Sequence, residues 1–368
     1  MIFRTSEWVS PGHPDKVADG ISEYILDRLL EIDPNTRYAL EVQIKGNKVS
    51  LAGEITTIAD ANEYNYINWT KEAVAKIGYD KDYQEEWGYK NTICSDDLEV
   101  SCNISQQSPE IAEGVDNDGF GDQGIFTGYA ENTNSYMPLD KELAREIGLR
   151  LYDLALDGDF VGGLDIKTQV TLDEDDNVKQ FIVAIPLMDS DNIKGIEEEV
   201  KMYLESLLDK KQVEDANIIV NGTGVYRQHG PIADAGTTGR KLAVDFYGNN
   251  APIGGGSPWT KDGTKADLVL NLYARERAVE GLKIYLAKIG DNGHHATYQL
   301  CCCIGRQEIF GTLKVFDKQG NIIYNVSENL EIKPSELIEK YGLKKPIFFD
   351  LCKNGLFEDD YYKWNQGE

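Results

Sequence analysis

A pattern that recurs three times along the 368 residues constrains this chain more than any other feature: a helix, two alternating strands and a second helix, at a spacing of roughly 125 residues, well above the period of solenoid repeats. In the first occurrence Val17, Ile21, Ile25 and Leu29 recur at helical spacing, and Tyr38, Leu40, Val42 and Ile44 then alternate along a strand. Gly46 and Asn47 make a two-residue hairpin turn, Val49, Leu51, Gly53 and Ile55 alternate on the return strand, and a helix is expected over about 60–77. The second occurrence predicts a helix over 139–156, strands over 166–172 and 178–185 joined by a polar turn, and a helix over 193–208. The third predicts a helix over 266–289, strands over 297–304 and 308–316, and a helix over 334–341.

Three α/β units follow, each with one apolar sheet face covered by helices, and no Pro/Ser/Gly linker separates them. We divide the chain into an N-terminal unit over 1–110, a central unit over 111–230 and a C-terminal unit over 231–368. If Ile44 faces Val49 across the first hairpin, then Tyr38, Val42, Leu51 and Ile55 take the helix-covered face. Ala39, Glu41, Ala52 and Glu54 take the other, and Asp165 and Lys167 share the corresponding face of the second unit. Alternation alone leaves open an ordinary solvated sheet face.

With 63 acidic against 37 basic side chains the formal charge is −26, a field that repels phosphate backbones and anionic headgroups. No nucleic acid and no membrane partner is expected, and a polyanionic ligand would have to be held by a local concentration of the few cations. No apolar run approaches the roughly 20 residues of a membrane helix, and residues 1–10 carry no basic region followed by an apolar stretch, so a cytoplasmic location is expected. Cys94, Cys102, Cys301, Cys302, Cys303 and Cys352 contain no CxxC pair and are expected as free, mostly buried thiols. Neighbours in a strand face opposite ways, which makes the triplet a poor structural zinc site.

Four segments carry chemistry. Ser10-Pro-Gly-His-Pro-Asp-Lys16 leads into the first helix with Pro14 at its first position, so His13 and Asp15 sit where free amides favour an anion: His13 could donate to a phosphate oxygen and Asp15 hold a magnesium ion, although a plain capping turn has the same pattern. Gly119-Phe-Gly-Asp-Gln-Gly124 fits GxGxxG but follows an acidic loop-like stretch instead of a buried strand; the dinucleotide reading is rejected for a glycine-rich loop presenting Asp122. Thr238-Gly-Arg-Lys241 precedes the apolar run 242–246, which reads as a strand with both cations at its entrance. Gly254-Gly-Gly256 then leads to Lys261, Lys265 and Asp267 around the start of the third unit's first helix, a set suited to a phosphate chain with its metal and unlike a Walker A loop, since no GxxxxGK[ST] occurs.

Together these segments resemble the S-adenosylmethionine synthetases. The resemblance rests on Ser6-Glu-Trp-Val-Ser-Pro-Gly-His-Pro-Asp-Lys16, Gly53-Glu-Ile-Thr-Thr57, Gln107-Ser-Pro109, Gly121-Asp-Gln-Gly124, Lys167-Thr-Gln-Val-Thr171, Thr238-Gly-Arg-Lys241, and Gly254-Gly-Gly256 with Lys261-Asp262. It implies three related α/β units about a pseudo-threefold axis, and a homodimer that packs sheet to sheet with its active sites in the interface and can pair again into a tetramer. It implies ATP and methionine as substrates, two Mg²⁺ per site and a K⁺. His13, Lys167, Arg240, Lys241, Lys261 and Lys265 would contact the triphosphate or assist its departure, with Asp165 among the ATP contacts and Tyr226 stacked on adenine. Asp15 and Asp267 would hold magnesium and Glu41 potassium; Glu54, Gln107, Asp122, Asp234 and Lys265 would surround methionine, with Glu7 nearby. The chain departs from the pattern in having Val225 where an arginine is usual, Ile253 for a histidine and Leu268 for an arginine, in a short stretch between Gln107 and Gly121, and in Asn354-Gly-Leu-Phe357 near its end.

The implied chemistry suits these residue types. A thioether sulfur is a neutral nucleophile with no proton to lose, so no general base is needed, whereas a departing triphosphate needs preorganised cations. A catalytically silent ATP- or methionine-binding homologue acting as a regulatory subunit would not require both the cations and the carboxylates. A kinase lacks support, because the P-loop and the kinase catalytic-loop pattern are both missing.

Overall fold

The structure is a computed structural model that describes residues 2–106, 118–158, 162–357 and 362. The expected hairpin forms β2 (Arg37–Lys45) and β3 (Lys48–Thr56), with Ile44 opposite Val49 and Tyr38 opposite Ile55. It is preceded by β1 (Arg4–Val9) and α1 (Pro14–Leu30), and followed by α2 (Glu63–Lys76), α3 (Lys81–Trp87) and β4 (Glu99–Ser105). The central region contributes β5 (Gly124–Glu131), α4 (Leu139–Leu156), β6 (Lys167–Leu172), β7 (Val178–Ala184), α5 (Ile193–Leu207), α6 (Lys210–Val213) and β8 (Asn217–Val220). The last region contributes β9 (Gly236–Thr237), α7 (Leu242–Asp245), α8 (Ala266–Lys288), β10 (His295–Cys302), β11 (Glu308–Phe316), β12 (Ile322–Glu331), α9 (Pro334–Lys340) and α10 (Phe348–Asn354).

The strands form three four-stranded sheets, ordered β1-β6-β7-β8, β12-β11-β10-β5 and β4-β3-β2-β9. Each sheet takes one edge strand from elsewhere in the chain: β1 pairs with β6, β5 with β10 and β9 with β2, all antiparallel. Each of these strands precedes a major helix, α1, α4 or α8, so the strand before one helix closes the sheet of another unit in a cyclic hand-over. The sequence pattern did not reveal the three exchanged strands, nor β4, β8 and β12.

One face of each sheet is buried under a helix. α1 is buried on every side except at Arg28, and Ile21, Ile25 and Leu29 are fully enclosed; each such aliphatic side chain contributes about 1.5–3 kcal/mol on burial. Tyr38, Val42, Leu51 and Ile55 are buried, whereas Glu41, Ala52 and Glu54 are exposed, as the alternation requires. α8 crosses β5 so closely that a Cβ at Gly128 would lie 1.8 Å from the Ala274 carbonyl oxygen. No helix among the described residues is long and apolar enough to cross a membrane.

Two expectations are corrected. The run 242–246 is not a strand but holds the single turn of α7, because adjacent Val244 and Asp245 both face the interior, which a strand cannot arrange. The cysteines are free but not mostly buried: Cys94 and Cys352 are enclosed, Cys102 and Cys302 are half-buried, and Cys301 and Cys303 are exposed.

Candidate active site

The first group of functional side chains is built where the 10–13 loop docks against residues 164–166. The Ser10 hydroxyl donates to the Leu164 carbonyl at 2.6 Å and accepts from the Ile166 amide at 2.9 Å. Gly12 lies so close that a Cβ would sit 2.3 Å from the Leu164 oxygen. This contact sets the start of α1 beside Lys167. His13 caps α1, its Nδ1 accepting from the Asp15 amide at 3.2 Å, and Pro14 occupies the first helical position. An accepting Nδ1 puts the proton of a neutral imidazole on Nε2. Burial, reinforced by the Lys241 charge, pushes the His13 pKa down to about 4, so the ring is neutral at pH 7.

Asp15 gathers the cations. Its carboxylate is 2.5 Å from Lys241 Nζ and 3.5 Å from Arg240, and it accepts from the Thr237 amide at 3.0 Å. β9 can come this near because Gly236 has no side chain; a Cβ there would lie 1.9 Å from the Pro14 oxygen. Burial raises the Asp15 pKa, but the Lys241 and Thr237 hydrogen bonds outweigh it and hold the carboxyl below its ordinary value. Lys167 Nζ is 2.6 Å from Glu7, and both are well exposed. Asp165 accepts from the Gly230 amide at 2.8 Å, and burial pushes its carboxyl up to about 7. Exposed Asp234 acts electrostatically on both His13 and Asp165.

A second group stands at the start of α8. Asp267 in its first turn accepts from the Gly256 amide at 2.6 Å and is bonded to Lys261, and Lys265 occupies the N-cap. Lys261 bridges to Ala39, whose other neighbour is Glu54, so Glu54 and Lys261 lie across one strand from each other. Glu41 is bonded to the Thr238 hydroxyl and accepts from the Thr260 hydroxyl at 3.3 Å, which ties the two groups together. Asp122 is exposed in the loop that leads into β5; residues 113–117, on which the rejection of the dinucleotide reading rested, lie outside the described residues. Tyr226 is half-buried, its carbonyl accepting from the Leu187 amide. Gln107 lies outside the described residues.

Sequence reasoning missed what positions these groups. Asp15, Asp19, Glu23 and Asp27 recur every four residues and form one column on buried α1. After Asp15, Asp19 accepts from the Gly239 amide at 2.9 Å, Glu23 from Thr260 at 2.6 Å, and Asp27 from both Phe348 and Phe349. The column therefore fixes the backbone of the 237–241 and 260–261 segments on which Arg240, Lys241 and Lys261 stand. Four acids at helical spacing among apolar positions were the available signal. A second tie is aromatic: Tyr79 donates to the Gly12 carbonyl at 2.6 Å, and the Tyr83 hydroxyl accepts from Leu164 N and meets His229 Nε2 at 2.6 Å. His229 Nδ1 faces the Arg227 carbonyl at 2.7 Å, so the ring donates there and Tyr83 donates to Nε2.

Among the described residues no group of three or more His, Cys, Asp or Glu side chains is placed to hold a metal. Asp15 and Asp267 each offer one carboxylate, a donor set that fits magnesium held largely by substrate phosphates and water. Cationic side chains set around single carboxylates at two helix starts of an α/β protein are an arrangement that suits a polyanionic ligand. Comparison with known proteins narrows this. The family models for the S-adenosylmethionine synthetase N-terminal, central and C-terminal domains match residues 1–109, 117–226 and 228–366. The S-adenosylmethionine synthase of Mesoplasma florum is 35% identical over 98% of this chain and 96% of its own length, and that of Clostridium tetani 33% over 96% and 93%. The solved structure of an unusual S-adenosylmethionine synthetase from Campylobacter jejuni, 31% identical, superposes with a TM-score of 0.81 over all of this chain and 97% of the other. The chain belongs to the S-adenosylmethionine synthetase family.

Proposed function

We propose that this chain transfers the adenosyl group of ATP to the sulfur of methionine, giving S-adenosylmethionine with phosphate and pyrophosphate. The observation that carries the reading is the gathering of Arg240 and Lys241 about Asp15, with Lys167 acting on the adjacent His13, at the start of α1. The sulfur attacks the ribose C5′ with its own lone pair and needs no base, in keeping with a neutral His13. The work of the protein falls on the leaving triphosphate, whose growing charge must meet donors already in place.

His13 Nε2–H donates without adding charge. Lys241 is held by Asp15 and presents fixed positive charge, whereas Arg240, exposed and 3.5 Å from the same carboxylate, and Lys167, in an exposed ion pair with Glu7, are each restrained only weakly, by about 0–1 kcal/mol. Lys167 can thus turn to a phosphate oxygen at little cost. Lys261 and Lys265 take the other end of the chain of phosphates, Asp165 and Tyr226 the nucleoside, and Glu54, Gln107, Asp122 and Asp234 the amino acid. Asp15 and Asp267 would each hold a magnesium ion, which when bound supplies charge neutralisation to the triphosphate. Glu41 with the Thr238 and Thr260 hydroxyls offers hard oxygens to a potassium ion.

The two groups complete one another across a homodimer formed face to face by the helix-free sheet surfaces, and tetramers would form by further pairing. The cytosol is the proposed location. Incubation of the protein with ATP, methionine, Mg²⁺ and K⁺, with products identified by mass spectrometry, tests the reading. S-adenosylmethionine with phosphate and pyrophosphate is expected; no turnover would favour a silent binding homologue, and ADP with a phosphorylated product would point to a kinase.

A further inference from the structure

The residue that precedes Lys261 has an unusual backbone. Among the described residues that are not glycine, Asp118, Tyr136, Asp176, Asn221 and Thr260 have positive φ, and Thr260, at φ 71°, is the one with a β-branched side chain, for which the left-handed region is sterically costly. It is also buried, at 1% exposure. Such a conformation persists only where its surroundings over-determine it. Here both neighbours are pinned. Trp259 is fully enclosed, with the Lys16 ammonium 4.8 Å from its ring centre. Lys261 bridges to Ala39, and Asp262 donates its amide to the Tyr38 carbonyl at 3.2 Å while its carboxylate accepts from the Tyr38 amide at 2.8 Å.

Between these anchors Thr260 is fastened by its own polar groups. Its amide donates to Glu23 Oε1 at 2.6 Å, its carbonyl accepts from the Leu40 amide at 3.2 Å, and its hydroxyl donates to Glu41 at 3.3 Å. The bond to Glu23 is the informative one. Glu23 is fully buried in the middle of α1, and among the described residues its Oε2 meets no hydrogen-bond partner, so the Thr260 amide is the one described bond that offsets the cost of enclosing the carboxyl. An apolar side chain would fill this place in the helix without that cost. What the acid adds is a hold on the residue before Lys261.

We propose that Glu23 is a positioning residue for the transfer: by clamping the Thr260 amide it keeps Thr260 left-handed, and through that backbone it aims Lys261 at the site. With the clamp released, Thr260 relaxes toward negative φ, and rotation about its α-carbon carries Lys261 away from Asp267, to which it is now bonded. Glycine adopts the left-handed conformation without help, so a glycine at this position has no need of the clamp. The inference rests on the transferase reading for what Lys261 does, and on the backbone alone for what Glu23 holds.

Steady-state kinetics and amide hydrogen exchange of the full chain test it. In the parent the Thr260 amide should exchange slowly. Glu23→Leu, close in size and bringing no charge into the core, should speed that exchange and lower kcat, each by about ten-fold or more, with the KM for methionine held within about two-fold. Glu23→Gln keeps an acceptor oxygen and resembles the neutral carboxyl that burial favours by pushing its pKa well above the ordinary value, so exchange and kcat should stay within about three-fold of the parent. Adding Thr260→Gly to Glu23→Leu should recover kcat by about five-fold or more. Equal losses in the Gln and Leu variants, no recovery on adding glycine, or a Leu variant indistinguishable from the parent would overturn the proposal. Should Glu23→Leu not fold, rapid exchange of Thr260 in the folded parent, or a loss of about ten-fold in Glu23→Gln, still overturns it. A parent that makes no S-adenosylmethionine refutes the transferase reading alone, and the exchange rates then decide the clamp.

Discussion

Lys167 illustrates how much a single side chain can be asked to do. Its partner Glu7 restrains it weakly, and its place at the edge of the β1–β6 pair brings it beside His13. Lys167→Met removes one positioned charge from the leaving group, and a fall in turnover of about 100-fold or more is expected in steady-state assays; near-normal turnover would take Lys167 out of the site. His13 gives a prediction of another kind. Burial and Lys241 lower its pKa to about 4, so the folded protein binds fewer protons than the unfolded chain between about 4 and the ordinary 6.5. Stability conferred by the neutral ring is present above 6.5 and is lost as pH falls through that window. Nitrogen NMR of the free protein should show an Nε2–H tautomer and no protonation until near pH 4; titration near 6.5 would contradict the buried cap.

Among the elements, α1 shows why a pattern can be read without its purpose being seen. Its apolar spacing was plain in the sequence, and its cap was placed correctly at His13 and Pro14. The acidic column on the same helix was not recognised, since an acid at helical spacing ordinarily marks a solvated face, and only packing against residues 237–241, 260 and 348–349 encloses it. Asp27 offers a test. Burial lifts its carboxyl to about 7 against two opposing amide bonds, so between about 3.8 and 7 the folded state holds a proton that the unfolded chain releases. That contribution is complete below 3.8 and declines as pH rises through 7. Urea unfolding of Asp27→Asn should show a smaller drop between pH 5 and pH 8 than the parent, with about 1 kcal/mol lost at pH 5 for the amide left unsatisfied. An identical pH dependence would mean that Asp27 does not titrate there.

At the scale of the whole molecule, the helix-free sheet faces call for a partner. Across β5, β10 and β11 the register aligns Ile125, Cys301 and Phe310, all exposed, with Ile125 57% and Phe310 55% accessible. An apolar row of this kind on a flat face is a surface that water disfavours and a second copy would cover. Phe310→Glu places a charge in the row. It should convert a dimer to a monomer in light scattering, with turnover lost in proportion, because the proposed site needs both chains; a fully active monomer would locate the whole site within one chain.

Residue periodicity is a local property, and the sequence therefore determined the hairpins, the major helices, the cap at His13 and the two clusters of cationic segments. Pairing between distant strands is not local. The closure of each sheet by β1, β5 or β9, the last only two residues long, depends on which edge is free once the helices have packed. Tertiary structure alone decided that the 242–246 run would coil into one turn and that Asp15 would stand between Lys241 and Thr237, because burial and long-range hydrogen bonds are set by the neighbours a residue meets and not by those it follows.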